Sequence, residues 1–337
     1  MKSGNRAGTA LRLVVAAMAG LAPAVASGGV PGVVINEVHH DSDPKTERAE
    51  FVELFNAGAS SVDLSGWQLS GVGSHTFPAG TSLGSGQFLV VAEDRATMQS
   101  KFGVTTTHQY AGGLDSDAEL LRLLDGAGTE VDRLDYKSGF PWPTAARGAG
   151  ASMELLHPAL DNDLSGAWRS SAGPPTPGAA NSVLLITASA APPAIRQVSH
   201  LPVHPGVGQE VTITAKVTDP DGVAAVTLSY QLVSAGSYIR KSDATYDATW
   251  TDLPMLDAGT GGDALAADDI YTVTMPAAMQ MHRRLVRYRI TVRDAGDNSV
   301  RVPYADDESP NFAYFVHGGV PAWSGSDHPG TTPAQNF

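Results

Sequence analysis

Short apolar segments bounded by turn-forming residues make up most of the first half of the chain. Only residues 95–102 predict a short helix there. Short strands with frequent turn signals are typical of an all-β sandwich or barrel. Gly, Pro, Ser and Asp separate these segments, which cover residues 33–38, 50–55, 87–92, 119–124 and 152–156.

The second half alternates more strictly between apolar and polar residues. One apolar face and one polar face are the mark of strands that cover one side of a sandwich core. The fold class predicted from both halves is therefore all-β, with two sandwiches in tandem. The alternation runs through residues 211–217, 226–232 and 286–292.

A segment rich in Pro and Ala separates the two halves. Residues 183–193 have the composition of a semi-rigid linker that cannot pack a core of its own. We therefore expect a first domain at residues 32–182 and a second at residues 194–317. Residues 318–337 are rich in Gly, Pro and Ser and predict a flexible C-terminal tail.

The N-terminus has the three parts of a secretory signal peptide. Lys2, Arg6 and Arg12 precede a short apolar stretch at residues 13–21, and the small-residue pattern Ala-Val-Ala at 24–26 follows. The alternative is a membrane anchor, for which the apolar stretch is too short. We therefore expect cleavage after residue 26 and a secreted or cell-surface protein that does not span the membrane.

Charge and cysteine content limit the functional classes. The formal net charge is -13, which disfavours binding to the phosphate backbone of nucleic acids. An acidic exported protein suits cations, calcium above all. Because the chain has no cysteine, thiol catalysis, disulfides and thiolate metal sites are excluded.

Several segments of the first half resemble a bacterial lamin-tail domain. The resemblance begins with Ile-Asn-Glu at 35–37 and the hairpin formed by residues 50–56 and 62–67. It extends to about residue 182 and implies an immunoglobulin-like β-sandwich without catalytic residues, used as an accessory module of exported proteins. The further segments that carry it are at 77–80, 112–114, 119–123, 140–143, 152–155 and 176–181.

The second half resembles immunoglobulin-like modules of bacterial surface proteins. The strand at Tyr288, Ile290 and Val292 is similar to strand F of such a domain without its cysteine. The order of the two units resembles the N-terminal half of exported spore-coat protein H-like kinases. No kinase phosphate loop or catalytic loop is present in the sequence, so kinase activity is not carried over.

Two motifs of the first half have chemical alternatives. Residues 80–84 fit the G-x-S-x-G string of serine hydrolases, with Ser82 as the nucleophile, but the strand–turn–helix context of that motif is missing. His39 and His40 precede acidic residues and could ligate a transition metal. Neighbouring residues of a strand point to opposite faces, so a polar loop is the favoured interpretation.

The second half contains a basic stripe and two tryptophans with an open role. Arg287, Arg289 and Arg293 fall on the polar face of one predicted strand, where we expect a solvated surface. A glycan-stacking role stays open for Trp250 and Trp323, because Trp67, Trp142 and Trp168 occupy places that recur in lamin-tail domains and favour packing.

Acidic loops of the second half are the predicted binding site. In a sandwich of this strand order the B–C, D–E and F–G connections lie at one pole, where converging carboxylates would bind a hard cation. We therefore predict a Ca²⁺ site; the alternative is that turn geometry alone selects these residues. The candidate ligands are Asp219, Asp221, Asp263, Asp268, Asp269, Asp294 and Asp297.

The sequence thus predicts a non-catalytic exported or cell-surface protein. One hypothesis is an accessory region that positions or binds a partner for a separate or missing catalytic domain. The second is a free-standing, calcium-stabilised adhesin or glycan-binding protein. In either case the expected partner is an extracellular protein or glycan.

Overall fold

The computed structural model of the protein describes residues 32–71 and 74–319. The expected signal peptide, Trp323 and nearly all of the expected tail lie outside the described residues. None of the helices in the described part of the chain is long and apolar enough to cross a membrane.

Within its described residues the first domain has twelve strands and one α-helix. A six-stranded sheet of order β12-β11-β1-β2-β7-β8 faces a four-stranded sheet of order β10-β9-β4-β5, and β3 pairs with β6. All pairs are antiparallel except β7 with β8. The elements are β1 (Val33–His39), β2 (Phe51–Asn56), β3 (Val62–Asp63), β4 (Gln68–Ser70), β5 (His75–Thr76), β6 (Ser82–Leu83), β7 (Phe88–Ala92), α1 (Arg95–Phe102), β8 (His108–Gln109), β9 (Ala118–Leu124), β10 (Glu130–Lys137), β11 (Met153–Leu155) and β12 (Trp168–Ser170).

The core of the first domain lies between these two sheets. Trp168, Tyr136 and Phe77 are among its largest side chains and are almost fully buried. The indole nitrogen of Trp168 donates to the carbonyl oxygen of Asn162 at 2.7 Å, so the only polar atom of that ring is satisfied. Helix α1 begins at the cap residue Asp94 and packs Met98 against a small second cluster.

The second domain is a sandwich of a three-stranded sheet and a larger sheet. The first has the order β13-β14-β17, and the second has the order β16-β15-β18-β19, with β20 pairing to β18. Alternating residues of β14, β15 and β18 supply the buried core, as their period of two requires. The elements are β13 (Ala194–Leu201), β14 (Val211–Thr218), β15 (Val223–Val233), α2 (Ala244–Ala248), β16 (Thr251–Met255), β17 (Ile270–Met275), β18 (Leu285–Asp294), β19 (Ser299–Val302) and β20 (Phe312–Phe315).

The predicted fold class is confirmed: the chain is all-β, with two β-sandwiches in tandem. Helix α1 occupies the residues predicted for it. Helix α2 was not predicted, because its five residues are too few to show a helical period.

Direct contacts join the two domains. The ring of Phe140 packs at 5.2 Å from that of Phe312, and the hydroxyl of Tyr304 donates to the carbonyl oxygen of Pro141 at 3.2 Å. The guanidinium of Arg169 lies 4.6 Å from the centre of the Tyr304 ring. The two domains therefore share a contact surface outside the connecting segment.

Candidate functional site

The loop between β16 and β17 gathers three carboxylates. Asp257, Asp263 and Asp268 each offer one oxygen, and these oxygens lie within 4.8 Å of one another. Within residues 32–71 and 74–319 this is the only group of three or more acidic, His or Cys side chains that meets this spacing. We refer to it as the aspartate triad.

Backbone hydrogen bonds to the aspartates shape this loop. The Asp257 carboxylate accepts from the amides of Ala267 at 2.6 Å and Asp269 at 3.0 Å, which closes the loop on itself. The Asp263 carboxylate accepts from the amide of Gly259 at 2.6 Å and sits against β17. Turn geometry therefore accounts for some of the Asp residues in this loop, in line with the alternative to a cation site given above.

The donor set of the aspartate triad fits a hard cation. Carboxylate oxygens suit Ca²⁺, which takes six to eight oxygens at about 2.3–2.6 Å. Three oxygens within 4.8 Å of one another are compatible with ligation of one such ion. Asp257, Asp263 and Asp268 would hold it, with the remaining positions left to water and backbone carbonyls.

The other predicted ligands lie elsewhere. Asp269 supplies its carbonyl oxygen to the amide of Val217 and is not part of the triad. Asp294 is buried and accepts hydrogen bonds from Asn298 within the turn between β18 and β19. Asp297 forms an ion pair with Arg293 at 2.9 Å. Of the seven predicted residues the aspartate triad contains only Asp263 and Asp268, and its third member, Asp257, was missed by sequence reasoning. Asp219, Asp221 and Asp294 lie near one another at a separate place.

Asp219 and Asp221 line a cleft between the domains. The cleft has a volume of about 570 Å³, and both domains and the connecting segment contribute to it. Burial, with the nearby carboxylates of Asp294 and Asp221, raises the pKa of Asp219. Asp161 of the first domain adds a third carboxylate to the rim, so the rim is acidic. The apolar floor is formed mainly by Leu160, Leu164, Ala167, Ala188, Ala191 and Pro192.

A row of three buried glutamates crosses the six-stranded sheet. Glu37 on β1 pairs directly with Glu154 on β11 and with Glu53 on β2. All three side chains are 0% exposed. Residues with the same register and the same face of adjacent strands have neighbouring side chains, so these carboxyl groups form one row.

Residues 172–183 cover the glutamate row, and we call them the cover segment. Thr176 donates through its amide to Glu37 at 2.8 Å and through its hydroxyl to Glu154 at 3.0 Å. Gly178 donates its amide to Glu53 at 2.5 Å, and Ser182 donates its hydroxyl to Glu154 at 2.7 Å. Strand β1 is therefore buried on both faces, by the core and by the cover segment.

Burial governs the protonation of this row. Among the described residues no Lys, Arg or His nitrogen lies within 4.0 Å of these carboxylates. Desolvation raises the pKa of Glu37 to about 7 and, with the charge of Glu37 added, that of Glu53 to about 8. Glu37 and Glu53 therefore cannot both carry charge at neutral pH without a large desolvation penalty.

Glu37 and Glu53 lie in two of the segments that carry the lamin-tail resemblance, residues 35–37 and 50–56. Residues 27–138 match the lamin tail domain. The family match supports that part of the resemblance; it does not extend to the second domain. A search of curated proteins found no match to the chain.

The first sandwich extends beyond the residues that match the lamin tail domain. Strands β11 and β12 complete its six-stranded sheet, and the cover segment closes over the glutamate row. The segments at 152–155 and 176–181, which lie beyond residue 138, are therefore in direct contact with the segments at 35–37 and 50–56.

Ser82 does not have the geometry of a hydrolase nucleophile. It lies on β6, and the following element is strand β7 rather than a helix. Its hydroxyl lies 2.8 Å from that of Ser61 on the surface of the lamin tail domain. The G-x-S-x-G string thus contains a strand that pairs with β3, rather than the strand–turn–helix of a nucleophile elbow.

His39 and His40 are buried on different sides of the chain. The ring of His39 packs 5.6 Å from that of Phe51, and the ring of His40 packs 4.8 Å from that of Tyr136. Burial lowers the pKa of His40 to about 4, so its imidazole is neutral at pH 7. Both side chains act as packing groups in the lamin tail domain.

The basic stripe of β18 is not the solvated surface that we predicted. Arg287 and Arg289 are only 5% and 7% exposed, because residues 234–250, which include helix α2, fold over that face of the sheet. Only Arg293 stays exposed, in the ion pair with Asp297. The periodicity of β18 identified the face but not the segment that covers it.

Proposed function

We propose that the chain is a non-catalytic binding and scaffolding protein that acts outside the cytoplasm. The cleft between the two sandwiches carries this proposal, because clefts between domains are a preferred place for ligands. Its apolar floor and its acidic rim, Asp161, Asp219 and Asp221, offer burial and charge to a partner at the same time.

The order of the two domains supports an accessory role. The resemblance to the N-terminal half of spore-coat protein H-like kinases suggests that this pair of sandwiches positions a partner for a catalytic domain elsewhere. The partner that fits the proposal is an extracellular protein or glycan. The basic N-terminal head followed by a short apolar stretch supports export.

A binding assay on cell-surface fragments of the organism that encodes the chain tests the proposal. Fluorescently labelled protein should bind the fragments saturably, and Ala188→Trp, which fills the cleft, should weaken binding about fivefold or more. Ala172→Trp adds the same side chain at an exposed position outside the cleft and should bind like the wild type. Absence of saturable binding, or equal binding by both variants, contradicts the proposal.

A free-standing, calcium-stabilised adhesin is the second candidate function. The aspartate triad favours it, since three carboxylates within 4.8 Å of one another gain from a cation between them. Calcium bound at the triad would tie the loop before β17 to the sheet and stiffen the second domain.

Calorimetric titration with CaCl₂ tests this second candidate. Millimolar calcium should bind and raise the melting temperature, as ligands of the native state do. Asp263→Asn should abolish both effects, whereas Asp306→Asn, an exposed change away from the triad, should preserve them. If the wild type gives no heat of binding and its melting temperature does not change with calcium, the site is excluded.

A further inference from the structure

Two arginines of the second domain lie under aromatic rings on the outer face of the larger sheet. The Cζ atom of Arg289 is 4.0 Å from the ring centre of Trp250 and 5.1 Å from that of Tyr246. The Cζ atom of Arg287 is 5.1 Å from the ring centre of Tyr238. These contacts hold the guanidinium groups by cation–π attraction.

The arginines of this cluster form no ion pair with a described residue, although the more distant charge of Asp247 acts to raise the pKa of Arg301. Among the residues that the structure describes, no carboxylate oxygen lies within 4.0 Å of Arg287, Arg289 or Arg301. Their partners are neutral: Arg287 donates to the side-chain oxygen of Gln231, and Arg289 donates to the hydroxyl of Tyr246. Arg287 and Arg289 are thus buried charges with neutral hydrogen-bond partners, and an external anion beside them would supply the missing opposite charge.

A third arginine brings the charge to the surface. Arg301 on β19 is exposed, and its pKa is lowered by desolvation and by the charge of Arg289 beside it. An anion between the two guanidiniums would relieve that repulsion. Arginine is well suited to this role because its planar fork binds a carboxylate through two parallel hydrogen bonds.

Aromatic surface lies next to this charge. Tyr238 is 67% exposed and Trp250 is partly exposed. Each ring lies against one of two arginines that are two residues apart on β18, which corresponds to a spacing of about 7 Å. The outer ring surface of Tyr238 is thus open to a flat apolar group, such as the face of a sugar ring.

We propose that this arginine–aromatic patch, formed by Tyr238, Trp250, Arg287, Arg289 and Arg301, binds a saccharide that carries carboxylate groups. The carboxylate contacts the exposed Arg301, next to the buried charge of Arg289, and the sugar rings lie against Tyr238 and Trp250. The patch is on the outer sheet face and not in the cleft between the domains, so this inference stands without the cleft.

Isothermal titration of the full chain with tetragalacturonate and with a hyaluronan hexasaccharide tests the patch. We expect at least one of these uronate oligomers to bind, with affinity that falls as salt rises. The methyl ester of tetragalacturonate, which keeps the sugar rings and loses the charge, should bind about tenfold more weakly. The inference is overturned if neither oligomer binds at a concentration of about 5 mM, which corresponds to the weakest affinity of interest. It is also overturned if the methyl ester binds as tightly as tetragalacturonate.

Surface variants locate the site without disturbing the fold. Arg301→Gln should weaken binding roughly tenfold and Tyr238→Ala about fivefold, because both side chains are exposed. Arg293→Gln is the matched control on the same sheet face, since Arg293 is already paired with Asp297. Equal effects of Arg301→Gln and Arg293→Gln would show general charge attraction and refute the site. Tighter binding of single-stranded oligothymidylate than of either uronate would refute the saccharide assignment.

Discussion

The glutamate row makes the stability of the lamin tail domain depend on pH in an unusual direction. The unfolded-state pKa of a glutamate is 4.5, whereas burial raises that of Glu53 to about 8. Between these values the unfolded chain releases a proton that the folded domain retains. Stability is therefore fully present below pH 4.5 and declines as the pH rises towards 8.

The size of the effect follows from the same shift. One pKa unit corresponds to about 1.4 kcal/mol, so Glu53 alone would lower the free energy of unfolding by roughly 4–5 kcal/mol across this range. Glu53→Gln removes the titration and keeps the shape of the side chain. An amide keeps one acceptor oxygen in place of two, so one of the bonds from Asn36 and Gly178 is lost, at about 1 kcal/mol.

The wild type and Glu53→Gln should therefore exchange their order of stability. At pH 5 the variant should be less stable by about 1 kcal/mol, and at pH 9 it should be more stable by several kcal/mol. Hydrogen exchange of the β1 and β2 amides, followed by mass spectrometry and corrected for intrinsic rates, measures the opening free energy directly.

The control is Glu210→Gln, an exposed change in the second domain. Its curve should parallel that of the wild type throughout. If the curves of Glu53→Gln and the wild type are also parallel from pH 5 to pH 9, the carboxyl group of Glu53 does not titrate with a raised pKa, and the account of the row is refuted.

Three further predictions concern the packing of both domains. His40→Phe should remove the part of acid destabilisation that arises between pH 6.5 and about 4. In that range the histidine of the unfolded chain is protonated, whereas buried His40 of the folded domain stays neutral. Urea titrations at pH 4.5 and 7 measure the loss of stability, and equal losses in the wild type and the variant would contradict the prediction. Trp168→Phe should destabilise the lamin tail domain by about 2–4 kcal/mol, because it leaves a cavity and an unpaired Asn162 carbonyl, as thermal unfolding would report; a loss below about 1 kcal/mol would contradict it. Gly166→Leu should loosen the domain junction, since a Cβ there would lie 2.5 Å from that of Ala194, whereas Gly173→Leu meets open space; faster proteolysis of residues 183–193 in the first variant alone is the expected result.

Features that depend on one strand at a time were accessible from the sequence. The period of two predicted β14, β15 and β18, and residues 95–102 were the one segment of the first half that predicted a helix, α1. Features that depend on how distant segments cover a sheet were not. Arg287 and Arg289 have the spacing of a solvated face, and nothing within β18 shows that residues 234–250 will bury them.

The aspartate triad failed to be predicted for a similar reason. Asp263 and Asp268 were assigned to the pole of the sandwich because they precede β17. Asp257 joins them since Leu256 pairs with Thr272 across the start of that strand, a contact that no local pattern encodes. The signal that was available is weak: an Asp directly after a strand-like segment, facing a loop rich in Asp and Gly.

The glutamate row shows how segments that look independent in the sequence can depend on one another. Glu37, Glu53 and Glu154 come from three separate segments, and the fourth segment, at 176–181, donates the hydrogen bonds that allow these carboxyl groups to be buried. A buried carboxyl group without such donors would destabilise the domain. Changing any one of these four segments therefore leaves a buried polar group of another segment without its partner. This coupling gives a physical reason why these segments occur together in one domain.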